Sequence, residues 1–186
     1  MSQYLESLSI VVNECDEALR QVDTATVERF IESLLLAERI FFVGTGRVML
    51  SLQSMSTRLR HIGLETYHVG QTGEPPISER DLLIIGSGSG ESIFPVAVAH
   101  RAKEIGVRIV HIGSNPESSL RQVTDLFVRI PARTKLNRTD EIDSRQPMSS
   151  LFEQSLLLFG DVVANMLIQR KGLSSATLWS HHANLE

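Results

Sequence analysis

Residues Leu82 to Ser92 read LLIIGSGSGES, an apolar run that passes directly into alternating glycine and serine. Consecutive Leu and Ile residues fit a strand buried on both faces of a parallel sheet. Gly86, Gly88 and Gly90 permit a tight turn and close approach to a ligand, while Ser87, Ser89 and Ser92 set hydroxyls beside N–H groups that a following helix leaves unpaired. Such a loop holds an anion, and phosphate is the biological anion that suits a helix N-terminus. Taken alone, the same stretch is a flexible Gly/Ser turn. Its position between an apolar strand and a helical pattern places it at the carboxyl end of a strand, where α/β sheets bind ligands.

A second glycine loop, FFVGTGR, carries Gly44, Thr45, Gly46 and Arg47 after another apolar run. Its position suggests a dinucleotide fingerprint, but GxGxxG requires glycine where Met49 stands, and the acidic Glu65 falls at the start of the next strand instead of its far end. A P-loop is also absent, since no Gly-Lys-Ser/Thr follows the required spacer. Two Gly-rich loops remain, one with hydroxyls and one with Arg47, able to embrace a small phosphorylated molecule. The alternative for Arg47 is a solvated surface cation.

These loops need a frame. Apolar residues recur at helical spacing over Tyr4 to Val22 and over Thr24 to Leu36. Strands are expected at Arg39 to Val43, Thr66 to Val69, Asp81 to Gly86, Val107 to Ile112 and Leu126 to Ile130. Helices are expected at Arg47 to Ile62, Ser92 to Glu104 and, briefly, Ser118 to Val123. The alternation predicts an α/β fold of flavodoxin-like type, a parallel sheet of about five strands with helices on both faces, joined by right-handed crossovers. Pro131 to Pro147 is polar and aperiodic and reads as a mobile lid or a binding loop. Ser149 to Lys171 is apolar on nearly every side, which predicts either burial against a partner subunit as well as the sheet, or a central helix within one domain.

Composition narrows the classes. With 186 residues and 42% apolar content the chain reads as one domain, divided into N-terminal helices (1–37), an α/β core (38–172) and a C-terminal tail (173–186). A formal charge of −4 supplies no basic face for nucleic acid or a membrane surface. The single Cys15 allows no intrachain disulfide, the opening MSQYLESLSI is not a signal peptide, and no apolar run predicts a transmembrane helix. A cytoplasmic location is expected.

FFVGTGR, GSGSGES, QPMSSLFEQSLLLFGD from Gln146 to Asp161, and the terminal HHANLE together resemble the 6-phospho-3-hexuloisomerases, a branch of the sugar isomerase (SIS) domain family. The glycine and serine loops are shared across the wider family; LFEQ and His-Ala-Asn-Leu-Glu are more specific to the branch. The resemblance spans almost the whole chain. It implies a single SIS-type domain with a five-stranded parallel sheet, assembly as a homotetramer or homodimer with sites at subunit contacts, and interconversion of D-arabino-3-hexulose 6-phosphate and fructose 6-phosphate through an enediol. That chemistry requires neither metal nor organic cofactor. Residue by residue, the resemblance makes Glu153 the base and His182 its acid/base partner, with Gly44, Thr45, Gly46, Arg47, Ser87, Gly88, Ser89 and Ser92 around the phosphorylated sugar. By residue type alone, Glu153 is a carboxylate at a helix start and His182 a solvated tail residue.

Val48-Met49 stand where the hexuloisomerases usually carry Ser-Gly. Another ketose phosphate, or a non-catalytic sugar-phosphate-binding regulatory module, would use the same cradle. His181 is expected at the surface, and His61, His68, His100 and His111 in packing or surface roles. Leu178 and Trp179 are expected to anchor the tail by apolar burial.

Overall fold

The structure, a computed structural model, describes residues 2–185; Glu186, which ends the terminal HHANLE stretch, lies outside them. Helix α1 (Gln3–Arg20) begins at Ser2, whose hydroxyl accepts from the Leu5 N–H, and α2 (Thr24–Leu36) begins at Asp23, whose carboxylate accepts from the Thr26 N–H at 2.9 Å. There follow β1 (Ile40–Val43), α3 (Gly46–His61), β2 (Thr66–His68), β3 (Leu82–Gly86), α4 (Ile93–Ile105), β4 (Arg108–Gly113), a 3₁₀ turn (Ser119–Gln122) and β5 (Leu126–Arg129). The chain ends with α5 (Ser150–Lys171) and a short α6 (Ser175–Ser180).

All strand pairs are parallel, and the five strands lie in the order β2-β1-β3-β4-β5. Because side chains alternate across a sheet, the apolar runs divide between two cores. Ile40, Phe42, Leu82, Ile84, Val110 and Ile112 face α1, α2, α3 and α5, whereas Phe41, Val43, Leu83, Ile85 and Ile109 face α4 and the 3₁₀ turn. The chain passes from β1 outward to β2, then returns to β3 on the other side of β1. That reversal makes the crevice between the carboxyl ends of β1 and β3 the topological switch point.

At the opposite end of the sheet, Arg39 holds the buried Asp81 through Nε to Oδ1 at 3.0 Å and Nη2 to Oδ2 at 2.8 Å. Burial pushes the Asp81 carboxyl up, but the bonds from Arg39 and Ser78 outweigh it and hold the group below its usual range.

One expectation, the anchoring of the tail by Trp179, is corrected, and two other segments gain definite places. Helix α5 packs chiefly against α3, α1 and α2, and its buried side chains share one core with a face of the sheet. It is long and apolar enough to cross a membrane, yet half of its most apolar stretch is buried inside the protein, as in a core helix. The tail is not anchored by Trp179, which is 70% exposed; Leu173 and Leu178 pack against the core. The Pro131 to Pro147 segment is strapped down at several points: Glu14 accepts from Ser144 Oγ (2.6 Å), the Arg145 N–H (2.9 Å) and Gln146 Nε2 (3.0 Å), and Ala132 bridges Ile142.

The α3–α5 seam is tight. A Cβ on Gly160 would lie 2.9 Å from Met55 Cβ, and nearby Phe159 stacks on Phe30 with ring centroids 5.8 Å apart. Gly160→Val should force the helices apart and lower unfolding stability by about 1–3 kcal/mol, read from the urea midpoint.

Candidate active site

The crevice at the switch point is a cleft of about 220 Å³ lined from four directions. The β1–α3 connection supplies Thr45, Gly46, Arg47 and Val48; the β3–α4 connection supplies Gly86, Ser87, Gly88, Ser89 and Ser92. Thr134 and Lys135 come from the strapped segment, and Ser149, Phe152 and Glu153 from the start of α5. The two glycine loops are adjacent because β1 and β3 pair directly, Val43 opposite Ile85. Gly44 lies buried beneath the cleft, where a Cβ would meet Leu52 Cδ1 at 3.1 Å and the Gly86 carbonyl at 3.4 Å.

Three helices, α3, α4 and α5, point their N-termini at this cleft. Their N-caps Thr45, Ser92 and Ser149 make no side-chain capping bond, although α1, α2 and α6 are each capped by a side chain. The cleft therefore faces three uncapped, partially positive helix ends and three hydroxyls available to a ligand. Arg47 and Lys135 add full positive charge at its walls.

In the β3–α4 loop, Ser87 Oγ accepts from the Gly90 N–H at 3.1 Å and lies 3.3 Å from Ser92 Oγ, while Ser89 Oγ accepts from the Glu91 N–H at 3.3 Å. Both serines are buried, so their hydroxyls shape the loop as well as line it. Gly90 has φ +67°, in the left-handed region, and a Cβ there would lie 2.3 Å from Ser118.

Glu153 sits in the first turn of α5 with its side chain only 15% exposed. It pairs with Arg47 Nε, and its backbone carbonyl accepts from Ser51 Oγ at 2.7 Å. The carboxylate and a cation thus stand together in the lining of the cleft that the serine loop also lines. A shielded carboxylate beside a cation can take a proton from carbon while the cation steadies negative charge on the adjacent oxygens.

His182 is elsewhere. Its ring centroid lies 4.9 Å from that of His61 and 5.0 Å from that of Trp179, in a depression also lined by Arg58, Ser175 and Leu178. His61 ends the helix that Arg47 begins, which separates the two by about 21 Å at 1.5 Å per residue. Within one chain, His182 does not meet Glu153. His181 is exposed, as expected. Among the described residues, no group of three or more His, Cys, Asp or Glu side chains converges as metal ligands would.

Thr134, Lys135, Ser149 and Phe152 were not singled out from the sequence, whereas Val48 had been marked there only as a departure from the family pattern. Thr134 is buried, with its N–H and hydroxyl donating to Glu141 at 3.0 and 2.7 Å. The signal for it was its place in the polar segment read as a lid or a binding loop, with a Thr-Lys pair shortly after the last strand. The departure at Val48-Met49 also gains an explanation: a Cβ on Gly86 would lie 2.8 Å from Val48 Cγ1, so Val48 fills the cleft floor, and Met49 packs against the core.

Beneath the serine loop lies His111, fully buried, with Nε2 2.9 Å from the Ser87 carbonyl oxygen. Burial pushes its pKa down to about 4; the Ser87 carbonyl and Glu91 oppose the shift, and Arg121 adds to it. An unfolded chain takes up this proton as the pH falls below the ordinary value of 6.5, while the fold refuses it until about 4. The stabilisation is present above about 6.5 and lost on acidification, amounting to about 2 kcal/mol by pH 5. Urea unfolding at pH 7 and pH 5 should show that loss in the wild type and a smaller one in His111→Gln.

The comparisons with known proteins agree with this geometry. The SIS domain family model matches residues 33–158. The chain is 38% identical over 181 residues to the 3-hexulose-6-phosphate isomerase of Bacillus subtilis (strain 168), covering 97% of this chain and 98% of that one. It is 37% identical over 180 residues to the 3-hexulose-6-phosphate isomerase of Mycobacterium gastri, covering 97% and 90%. A crystal structure of a Methanococcus jannaschii protein, from which a 3-hexulose-6-phosphate isomerase function was inferred, superposes with TM-score 0.85 at 28% identity, covering 97% of this chain and 99% of that one.

Proposed function

This chain belongs to the SIS domain family, and we propose that its cleft is the site of a sugar-phosphate isomerase that interconverts 3-hexulose 6-phosphate and fructose 6-phosphate. The observation that carries the reading is the convergence of three uncapped helix N-termini and two cations on a cleft holding one shielded carboxylate. The helix ends and serine hydroxyls suit the phosphate, and the Arg47–Glu153 wall suits the reacting carbons.

In the forward direction the Glu153 carboxylate takes the proton from the carbon next to the carbonyl. The released electron pair forms the carbon–carbon double bond of an enediol, and the carbonyl oxygen gains a proton from His182, the acid/base partner in this reading, which recovers one when the neighbouring hydroxyl is deprotonated. Glu153 then returns its proton to the former carbonyl carbon, while the neighbouring hydroxyl loses its own and becomes the new carbonyl. Nothing is oxidised or reduced overall. Arg47 stabilises the negative charge that develops on the oxygens.

His182 acts at the cleft of a neighbouring subunit in this reading. Support comes from its position at the far end of α3 and from unpartnered apolar faces: Tyr4, Leu5, Leu8 and Val12 on α1, and Leu158 and Val162 on α5. Those faces suit a homo-oligomer, dimeric or tetrameric. The free, buried Cys15 accords with a cytoplasmic location.

Glu153→Gln should lower turnover by roughly two to four orders of magnitude while sugar-phosphate binding persists. Solvent deuterium incorporation beside the carbonyl is the direct measurement. Wild-type exchange in the Gln variant would remove Glu153 as the base, and absence of exchange in the wild type with every ketose phosphate tried would make the protein a non-catalytic binding module. Mixing inactive Glu153→Gln with inactive His182→Ala should restore activity through hybrid sites. Failure to do so, with exchange of subunits verified by mass spectrometry, would place the two residues outside a shared site.

A further inference from the structure

The serine loop is tied from behind by β4 and the residues that follow it. The Ser87 carbonyl accepts from His111 Nε2 at 2.9 Å and from the Gly90 N–H at 3.2 Å. The Gly88 carbonyl accepts from the Ser114 and Asn115 N–H groups at 2.9 and 3.1 Å, and the Ser89 carbonyl accepts from Asn115 Nδ2 at 3.1 Å. A trans peptide unit directs its N–H opposite to its C=O, and no peptide among the described residues is cis. Drawing the Ser87 and Gly88 carbonyls back toward β4 therefore turns the N–H groups of Gly88 and Ser89 the other way, where both residues line the cleft. Among the described residues neither N–H donates a hydrogen bond.

We propose that His111 is a positioning residue: by donating from Nε2 to the Ser87 carbonyl it orients the Gly88 N–H, and with it the adjoining Ser89 N–H, as a two-donor nest for the phosphate of the substrate. The inference rests on the reading of the cleft as a sugar-phosphate site. A carbonyl only accepts, so Nε2 carries the proton and the tautomer is set. Nδ1 is then a buried acceptor without a partner among the described residues. Packing alone would be better served by an apolar ring at this position, since it would leave no orphaned nitrogen. What accounts for a histidine is the bond that Nε2 makes.

The surroundings are moulded to permit that bond. A Cβ on Gly113 would lie 2.4 Å from His111 Nε2 and 2.6 Å from the Ser87 oxygen, so only glycine lets ring and carbonyl meet. Phe127 on β5 packs on the ring with centroids 5.0 Å apart, and a Cβ on Gly90 would come within 3.1 Å of Cε1.

His111→Leu removes the donor and should raise KM for the sugar phosphate about tenfold with kcat little changed, and should weaken inorganic phosphate binding, measured calorimetrically, by the same factor. His111→Gln, which keeps an N–H donor, should recover most of both. Wild-type KM and phosphate affinity in a folded His111→Leu protein would overturn the proposal. Nuclear magnetic resonance of the wild-type protein tests it without a variant: titration with inorganic phosphate should move the Gly88 and Ser89 amide signals more than other loop amides, and unmoved signals at saturation would also overturn it. A wild type that binds phosphate through these amides but turns over no ketose phosphate would sustain the positioning role while removing the isomerase reading.

Discussion

The direct pairing of β1 with β3 at the middle of the sheet is the constraint on which the rest depends. It brings the ends of two apolar strands together in register, so the loops that follow them open side by side. Each loop then enters a helix, and the parallel arrangement obliges both helices to begin at the same edge of the sheet. Helix α5, arriving from the strapped segment, adds a third N-terminus. Three helix ends with unpaired N–H groups and no side-chain caps forgo about 1 kcal/mol each of capping stabilisation. The helices remote from the cleft make those caps, which marks the difference as a property of the site.

The α3–α5 seam joins folding to chemistry. At its inner end Gly160 admits Met55, and at its outer end Ser51 holds the Glu153 carbonyl while Arg47 pairs with the Glu153 carboxylate. Glu153 is positioned by contacts on the helix that also carries the first glycine loop. A shift of one helix along the other would therefore displace the Glu153 carboxylate from the loop. The bidentate Arg39–Asp81 pair lies at the opposite end of the strands, where it stabilises the sheet without entering the cleft.

Much of the fold was legible because its signals are local. Strands buried on both faces read as unbroken apolar runs, and each glycine that ends one is a backbone requirement visible in a single residue. The alternation of those runs with helical periodicity gave the parallel sheet, and the glycine-rich composition of two loops marked the segments that line the cleft. Helix α5 was harder to place, since an all-round apolar pattern records that a helix is buried but not by what; its own chain's α1, α2 and α3 cover much of it. Trp179 shows the same limit from the other side, as an aromatic residue near a chain end does not reveal whether its ring packs.

What the sequence determined by itself, then, was the class of fold, the two loops and, through the LFEQ resemblance, Glu153. Tertiary structure alone decided which side chains share a space. Thr134 and Lys135 reach the cleft because β5 delivers the chain to the same edge of the sheet, and His182 is held away from Glu153 because α6 docks at the far end of α3. His111 looked like one scattered histidine among several; only strand register sets it beneath the Ser87 carbonyl. The physical reason is common to all of these. Propensity and periodicity are carried by neighbours along the chain, whereas a site is assembled from residues 24 to 106 positions apart, whose distances are fixed by strand order and helix packing and written at no single place in the sequence.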